Sequence, residues 1–441
     1  MLDKSISLDE NKITKGLFLI ALSIVLLIYV NTPVLFSLIL VIIFIMAYKC
    51  PEAGIAAFFV ALPLENFIVL GFPIASVTAV AIVVLAGIMV GILFRPAWKI
   101  PSMKYSFIYF VFFGLALFTL MVSQKFIGLN YYLLYAISIT ISLITVWVII
   151  LEPQSIKIIA KAILFSVIIS FVLGTFDIRT LGRLSYNGST RTVANAAGLA
   201  AFFLFYQIYI GSLKQGFPLI DYKNKGLFFL ISMAIIVLSS NRGVLLATMV
   251  GITVSFFSDV IFRTQMNKTS FNVKAVVKFV LVIASLIILV IIVDNLLFSG
   301  NFLNARVISR LSEMTPGSRE NIRYEIWEAA ISQLDEYQLF LGAGIGSFRE
   351  YAIAGGQDYY SHSIFVDLIV TQGLLAFFVL AAFLAKLAIK FCLRGDSFGL
   401  GLLAYTITSY YTYGAVHNAY QFWVLFGLIY GVSQIRTNKV L

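Results

Sequence analysis

The sequence predicts an all-α fold, a polytopic bundle of transmembrane helices, and three observations carry that prediction. Hydrophobic residues make up 61% of the 441 and charged residues only 12%, whereas a soluble domain carries about a quarter charged residues. Mean hydropathy is +1.00. The apolar residues arrive in blocks of roughly 15–25, the length a helix needs to cross a ~30 Å hydrocarbon core. They lack the weak alternation over about ten residues that marks a membrane barrel.

Taken in order, the spans fall near 17–30, 33–48, 53–70, 74–94, 105–122, 131–151, 157–175, 194–212, 226–240, 243–262, 276–298, 362–385, 398–414 and 419–435. That is about 12–14 crossings, since several are short for a full passage. The pair around "SSNRG" reads as one broken element. The N-terminus, "MLDKSISLDENKITKG", has no small-residue cleavage site after the first block, so 17–30 is expected to be a retained helix. With no repeat or low-complexity tract, residues 1–441 are expected to form a single membrane domain. The only long non-apolar segment is 299–361, and a loop of that length is usually functional. The two cysteines, Cys50 and Cys392, are too few for a disulfide framework or a cysteine metal site.

Lysine and arginine divide unequally across these spans. With the N-terminus inside, the inner face collects 17 of 18 lysines and the outer face 9 of 13 arginines. The inner excess is the ordinary topogenic signal and predicts cytoplasmic termini. The outer arginines, among them Arg183, Arg191, Arg242, Arg319 and Arg323, run against it. A guanidinium is always charged and offers paired donors to phosphate. The partition therefore points to an outward-facing site for a phosphorylated, lipid-borne substrate, with membrane lipids rather than nucleic acid as surroundings.

Four stretches carry candidate chemistry. In "SSNRGVLLA", Arg242 sits at a junction between two apolar segments with almost no loop, where a charge is costly and usually partnered. In "TPGSRENIRYEIWEAAISQLDEYQLFLGAGIGSF", Ser318 is placed to cap a helix running to about Leu334. Ile322, Ile326, Ala330 and Leu334 mark one apolar face, and Arg319 and Arg323 are neighbours one turn apart. That pattern suits an amphipathic helix lying on the membrane, or equally a solvated face paired with Glu320 or Glu328. The following "GAGIGSF" supplies a tight turn and close backbone approach. In "SHSIFVDLIVTQG", Ser361 stands at a helix N-cap position and His362 begins a span. Imidazole titrates near neutrality and is able to take a proton from an attacking hydroxyl; a histidine satisfied by interface water is the plainer reading. Asp367, about 140° around the helix from His362, has no evident role. In "RLSYNGSTRTVANAAGLAAF", Arg183, Arg191 and Asn195 suit a phosphate or sugar contact, as ordinary loop residues also would. His417 has no supporting motif.

The ordered set "SSNRG", "RYEIW", "LGAGIGSF" and "SHSIFVDLIVTQG" resembles the O-antigen ligase and O-antigen polymerase family of bacterial membrane glycosyltransferases. The resemblance rests on Arg242 with Gly243, Arg323 with Trp327, Gly342 to Phe348, and His362 with Gly373; the arginine-rich entry at Asn195 also looks familial. It covers about residues 183–202 and 239–375. The sequence departs from the pattern at Asn241, where serine is usual, at Thr371, where an acidic residue often stands, and at Gln338-Leu339-Phe340, where proline is usual. The resemblance implies a metal-independent, inverting transfer without cofactor at the outer face of the inner membrane. The donor would be a glycan on undecaprenyl diphosphate and the acceptor a hydroxyl of a glycan or lipid. Arg242 and Arg323 would hold the diphosphate, and His362 would serve as general base. Polymerisation of surface polysaccharide repeats is expected ahead of ligation to a lipid A core, with a flippase of lipid-linked sugars as the more distant alternative.

Overall fold

A computed structural model describes residues 10–67, 69, 76–94, 101–122, 129–175, 191–210, 224–239, 241–267, 277, 284, 288, 319–357, 360–411 and 419–435. Among these the chain is helical and contains no strand. The helices are α1 (Glu10–Val30), α2 (Pro33–Lys49), α3 (Pro51–Ala61), α4 (Ser76–Phe94), α5 (Phe107–Val122), α6 (Leu129–Leu151), α7 (Ser155–Gly174), α8 (Arg191–Phe205), α9 (Lys225–Ser239), α10 (Arg242–Asn267), α11 (Arg319–Ser332), α12 (Glu336–Leu341), α13 (Phe348–Ala354), α14 (Ile364–Arg394), α15 (Ser397–Tyr411) and α16 (Tyr420–Gln434). Six of the described helices are long and apolar enough to cross a membrane, and further apolar helices are shorter. The polytopic helical bundle expected from the block pattern is what the chain forms.

Sequence chemistry sets several boundaries. Prolines at the first positions of α2 and α3 begin those helices where a missing N–H costs nothing. Helix α2 is apolar all round. It buries Phe36, Ile39, Ile43 and Ala47 and leaves Leu38, Val41 and Ile45 exposed, a distribution suited to lipid rather than water. Small residues set the packing distance. A Cβ on Gly54 would lie 2.7 Å from the Ala47 methyl, and one on Gly87 2.8 Å from the Phe44 carbonyl, the close approach that drives helix association without a hydrophobic force.

The chain forms two compact units. The first comprises 1–110, 136–248 and 420–441, and the second 111–135 and 249–419. In the first, α2 packs on α4, α3 on α7, and α8 on both α7 and α9. In the second, α12 and α15 pack on α14, and α11 packs on α13.

Candidate functional site

Arg323, Trp327, the glycine turn and His362 all belong to the second unit. Helix α11 carries the first two. Its Ile326 and Ala330 are buried with Phe348 and Ala352 of α13 and Val370 of α14, and Trp327, Ile331 and Leu334 pack around them. The periodic face is thus used, but against protein. The apolar stripe of this amphipathic helix is covered by α13 and α14. The helix ends at Ser332 instead of Leu334. Arg323 is half-buried, while Tyr324, Glu325 and Glu328 on the same helix are exposed.

The glycine turn after α12 is built into a break in α14. Gly373 has φ 82° and ψ 171° in the middle of that helix, so the carbonyls just before it lose their helical partners. The turn replaces them: Ala343 N–H donates to the Val370 carbonyl at 2.8 Å and Gly344 N–H to the Thr371 carbonyl at 3.0 Å. Ile345 N–H donates to the Tyr132 hydroxyl at 3.1 Å. No side chain fits at the contact. A Cβ on Gly342 would sit 2.5 Å from the Thr371 carbonyl oxygen, and one on Gly373 2.6 Å from Gly342 nitrogen. The turn's amides therefore serve the broken helix, which the sequence reading of a close backbone approach did not specify. Beside the break, the Tyr135 hydroxyl donates to Gln372 Oε1 at 3.2 Å.

His362 stands just ahead of this helix. The sequence placed Ser361 at the cap and His362 inside the span; instead α14 starts at Ile364 with Ser363 at the N-cap position. His362 lies in the preceding turn with φ 50°, a left-handed conformation. For a non-glycine residue such a backbone costs about 1–3 kcal/mol and persists only where the surroundings impose it. Here the surroundings include Trp327, whose Nε1–H donates to the Ser361 carbonyl at 2.6 Å. That carbonyl belongs to the peptide joined to His362. One hydrogen bond therefore ties the arginine helix to the histidine turn. Asp367 is 1% exposed in the first turn of α14, where the helix N-terminus favours a negative charge.

The first unit holds the remaining described candidates. Asn241 caps α10: its Oδ1 accepts from Val244 N–H at 3.0 Å. Arg242 is then the first residue of that helix. Asparagine caps as well as serine, so the departure at Asn241 leaves the local geometry intact. Helix α9 ends at Ser239 and α10 begins at Arg242. Asn195 is buried in α8, its Nδ2 donating to Gln421 Oε1 at 2.5 Å, while Gln421 Nε2 donates to Glu65 Oε2 at 3.4 Å. Sequence reasoning missed Glu65 and Gln421, whose partners are distant in the chain. Arg183, Ser318 and His417 lie outside the described residues, as do the side chains of Arg191, Arg242, Arg319 and Ile322. Among the described residues, no group of three or more His, Cys, Asp or Glu side chains is placed to hold a metal ion.

Residues 227–381 match the family model described as O-antigen ligase. Over that segment, about a third of the chain, the sequence is similar to the O-antigen ligase family. The match contains the cap at Asn241, Arg323, Trp327, the glycine turn, His362 and the break at Gly373. No curated protein matches the chain.

Proposed function

We propose that the protein is a membrane glycosyltransferase that moves a glycan from undecaprenyl diphosphate to an acceptor hydroxyl, polymerising surface polysaccharide repeats. The observation that carries this reading is the Trp327–Ser361 hydrogen bond, which fixes the histidine turn against the helix that bears Arg323. Arg323 holds a phosphate of the donor through paired N–H donors and stabilises it as negative charge builds on the leaving group. His362 accepts the proton of the acceptor hydroxyl while that oxygen attacks the anomeric carbon from the face opposite the diphosphate. The C–O bond to the diphosphate breaks, the new glycosidic bond forms with inversion, and no cofactor or metal enters.

Arg242, Arg319, Arg191 and Arg183 are assigned to phosphate or sugar binding. Asn195 acts with Gln421 and Glu65. The reaction takes place at the outer face of the inner membrane, with both termini in the cytoplasm. Ligation to a lipid A core uses the same donor chemistry and differs only in acceptor. Incubating the full-length protein with lipid-linked repeats separates the two. A ladder of products supports polymerisation, whereas product only upon addition of a lipid A core acceptor assigns ligation.

A further inference from the structure

Three rings beside the histidine turn have no part in holding phosphate or proton. Tyr324 and Trp327 of α11 meet edge to face with centroids 5.2 Å apart. Trp327 meets Tyr411, at the end of α15, in the same manner at 6.1 Å. Tyr324 and Tyr411 also interact with each other through their side chains, each flanking Trp327. Trp327 uses its N–H on the Ser361 carbonyl. Tyr324 is 58% exposed and Tyr411 48% exposed. What the cluster offers outward includes ring surface.

We propose that Tyr324, Trp327 and Tyr411 form a stacking subsite for a pyranose ring of the glycan substrate, an assignment that rests on the glycosyl-transfer reading above. A pyranose has a face of C–H groups and a rim of hydroxyls, so it covers an aromatic ring while its hydroxyls stay wet. Aromatic rings supply such contact area at low conformational cost. The position fits: Trp327 lies one helical turn from Arg323 and is bonded to the residue before His362. A sugar on these rings lies beside both the phosphate ligand and the base. An interfacial aromatic belt is the competing use of exposed tyrosines. In a belt the rings stand singly at the headgroup level, whereas here Tyr324 and Tyr411 both pack edge to face on Trp327.

The test uses the full-length protein in nanodiscs, titrated calorimetrically with repeat-unit oligosaccharides released by mild acid from the host's lipid-linked glycan. Tyr324→Ala and Tyr411→Ala are expected to weaken binding by about five- to twentyfold, the range of a ring-stacking contact. Tyr324→Phe, which keeps the ring, should stay within about twofold of wild type by the same reasoning. Binding of inorganic pyrophosphate should be unchanged in all three. In transfer assays, a raised KM for acceptor places the stacked sugar on the acceptor, and a raised KM for donor places it on the donor.

Absence of oligosaccharide binding by wild type, or unchanged affinity in both alanine variants, overturns the proposal. So does an equal loss of pyrophosphate binding, which marks a disturbed loop, or normal sugar binding with impaired retention in anionic nanodiscs, which assigns the rings to the membrane. A His362→Ala protein that still transfers glycan would remove the base assignment and leave the sugar-binding result standing.

Discussion

At the scale of single residues, geometry turns a composition signal into roles that are separable by substitution. Arginine reads as a candidate phosphate ligand because it collects where the expected topology disfavours it, and Arg323 is half-exposed on a helix whose other face packs on α13 and α14. Replacing it with lysine keeps the charge and loses the paired fork, so donor affinity should fall about tenfold, roughly 1.4 kcal/mol; donor titration in nanodiscs reads this directly. The Asn241 cap makes a different prediction. Asn241→Ser should leave thermal stability unchanged, and Asn241→Ala should cost about 1 kcal/mol. The sequence marks His362 as a candidate for moving a proton. It does not show the left-handed backbone or the Trp327 bond, the latter because its partner lies 34 residues away in the chain.

At the scale of elements, the periodicity of four in Ile326 and Ala330 was enough to find α11 and its buried face, and the apolar blocks were enough to find the long apolar helices among the described residues. The expected span at 276–298 lies outside them but for 277, 284 and 288. What covers that face was not legible, since burial against protein and burial in lipid ask for the same residues. The break in α14 was hidden for a related reason: one glycine in an apolar run does not show whether a turn elsewhere will take the freed carbonyls. With the pairing of Ala343 and Gly344 to Val370 and Thr371 in view, the spacing from His362 to Gly373 acquires a physical meaning. It sets a short helical segment between the histidine turn and the break. Gly373→Ala would force a side chain into a left-handed backbone and against the Phe340–Gly342 backbone. It should destabilise the protein by roughly 2 kcal/mol or more, checked by thermal unfolding in detergent.

At the scale of the whole molecule, the arginine and lysine partition predicts that the 319–361 region faces outward. Tyr360 is 59% exposed. In a protein carrying Cys50→Ala and Cys392→Ser, Tyr360→Cys should be modified on intact cells by a membrane-impermeant maleimide; labelling only after lysis would invert the topology. The family match spans 227–381, and the central claim within it is that His362 performs the proton transfer of glycosyl transfer. Transfer from a purified undecaprenyl-diphosphate-linked glycan by full-length His362→Ala protein, measured alongside donor binding, tests that claim most directly. Loss of transfer by at least about a hundredfold, the usual scale of a general base, with donor affinity kept, is the expected result. Transfer at the wild-type rate by a folded, donor-binding His362→Ala protein would contradict it.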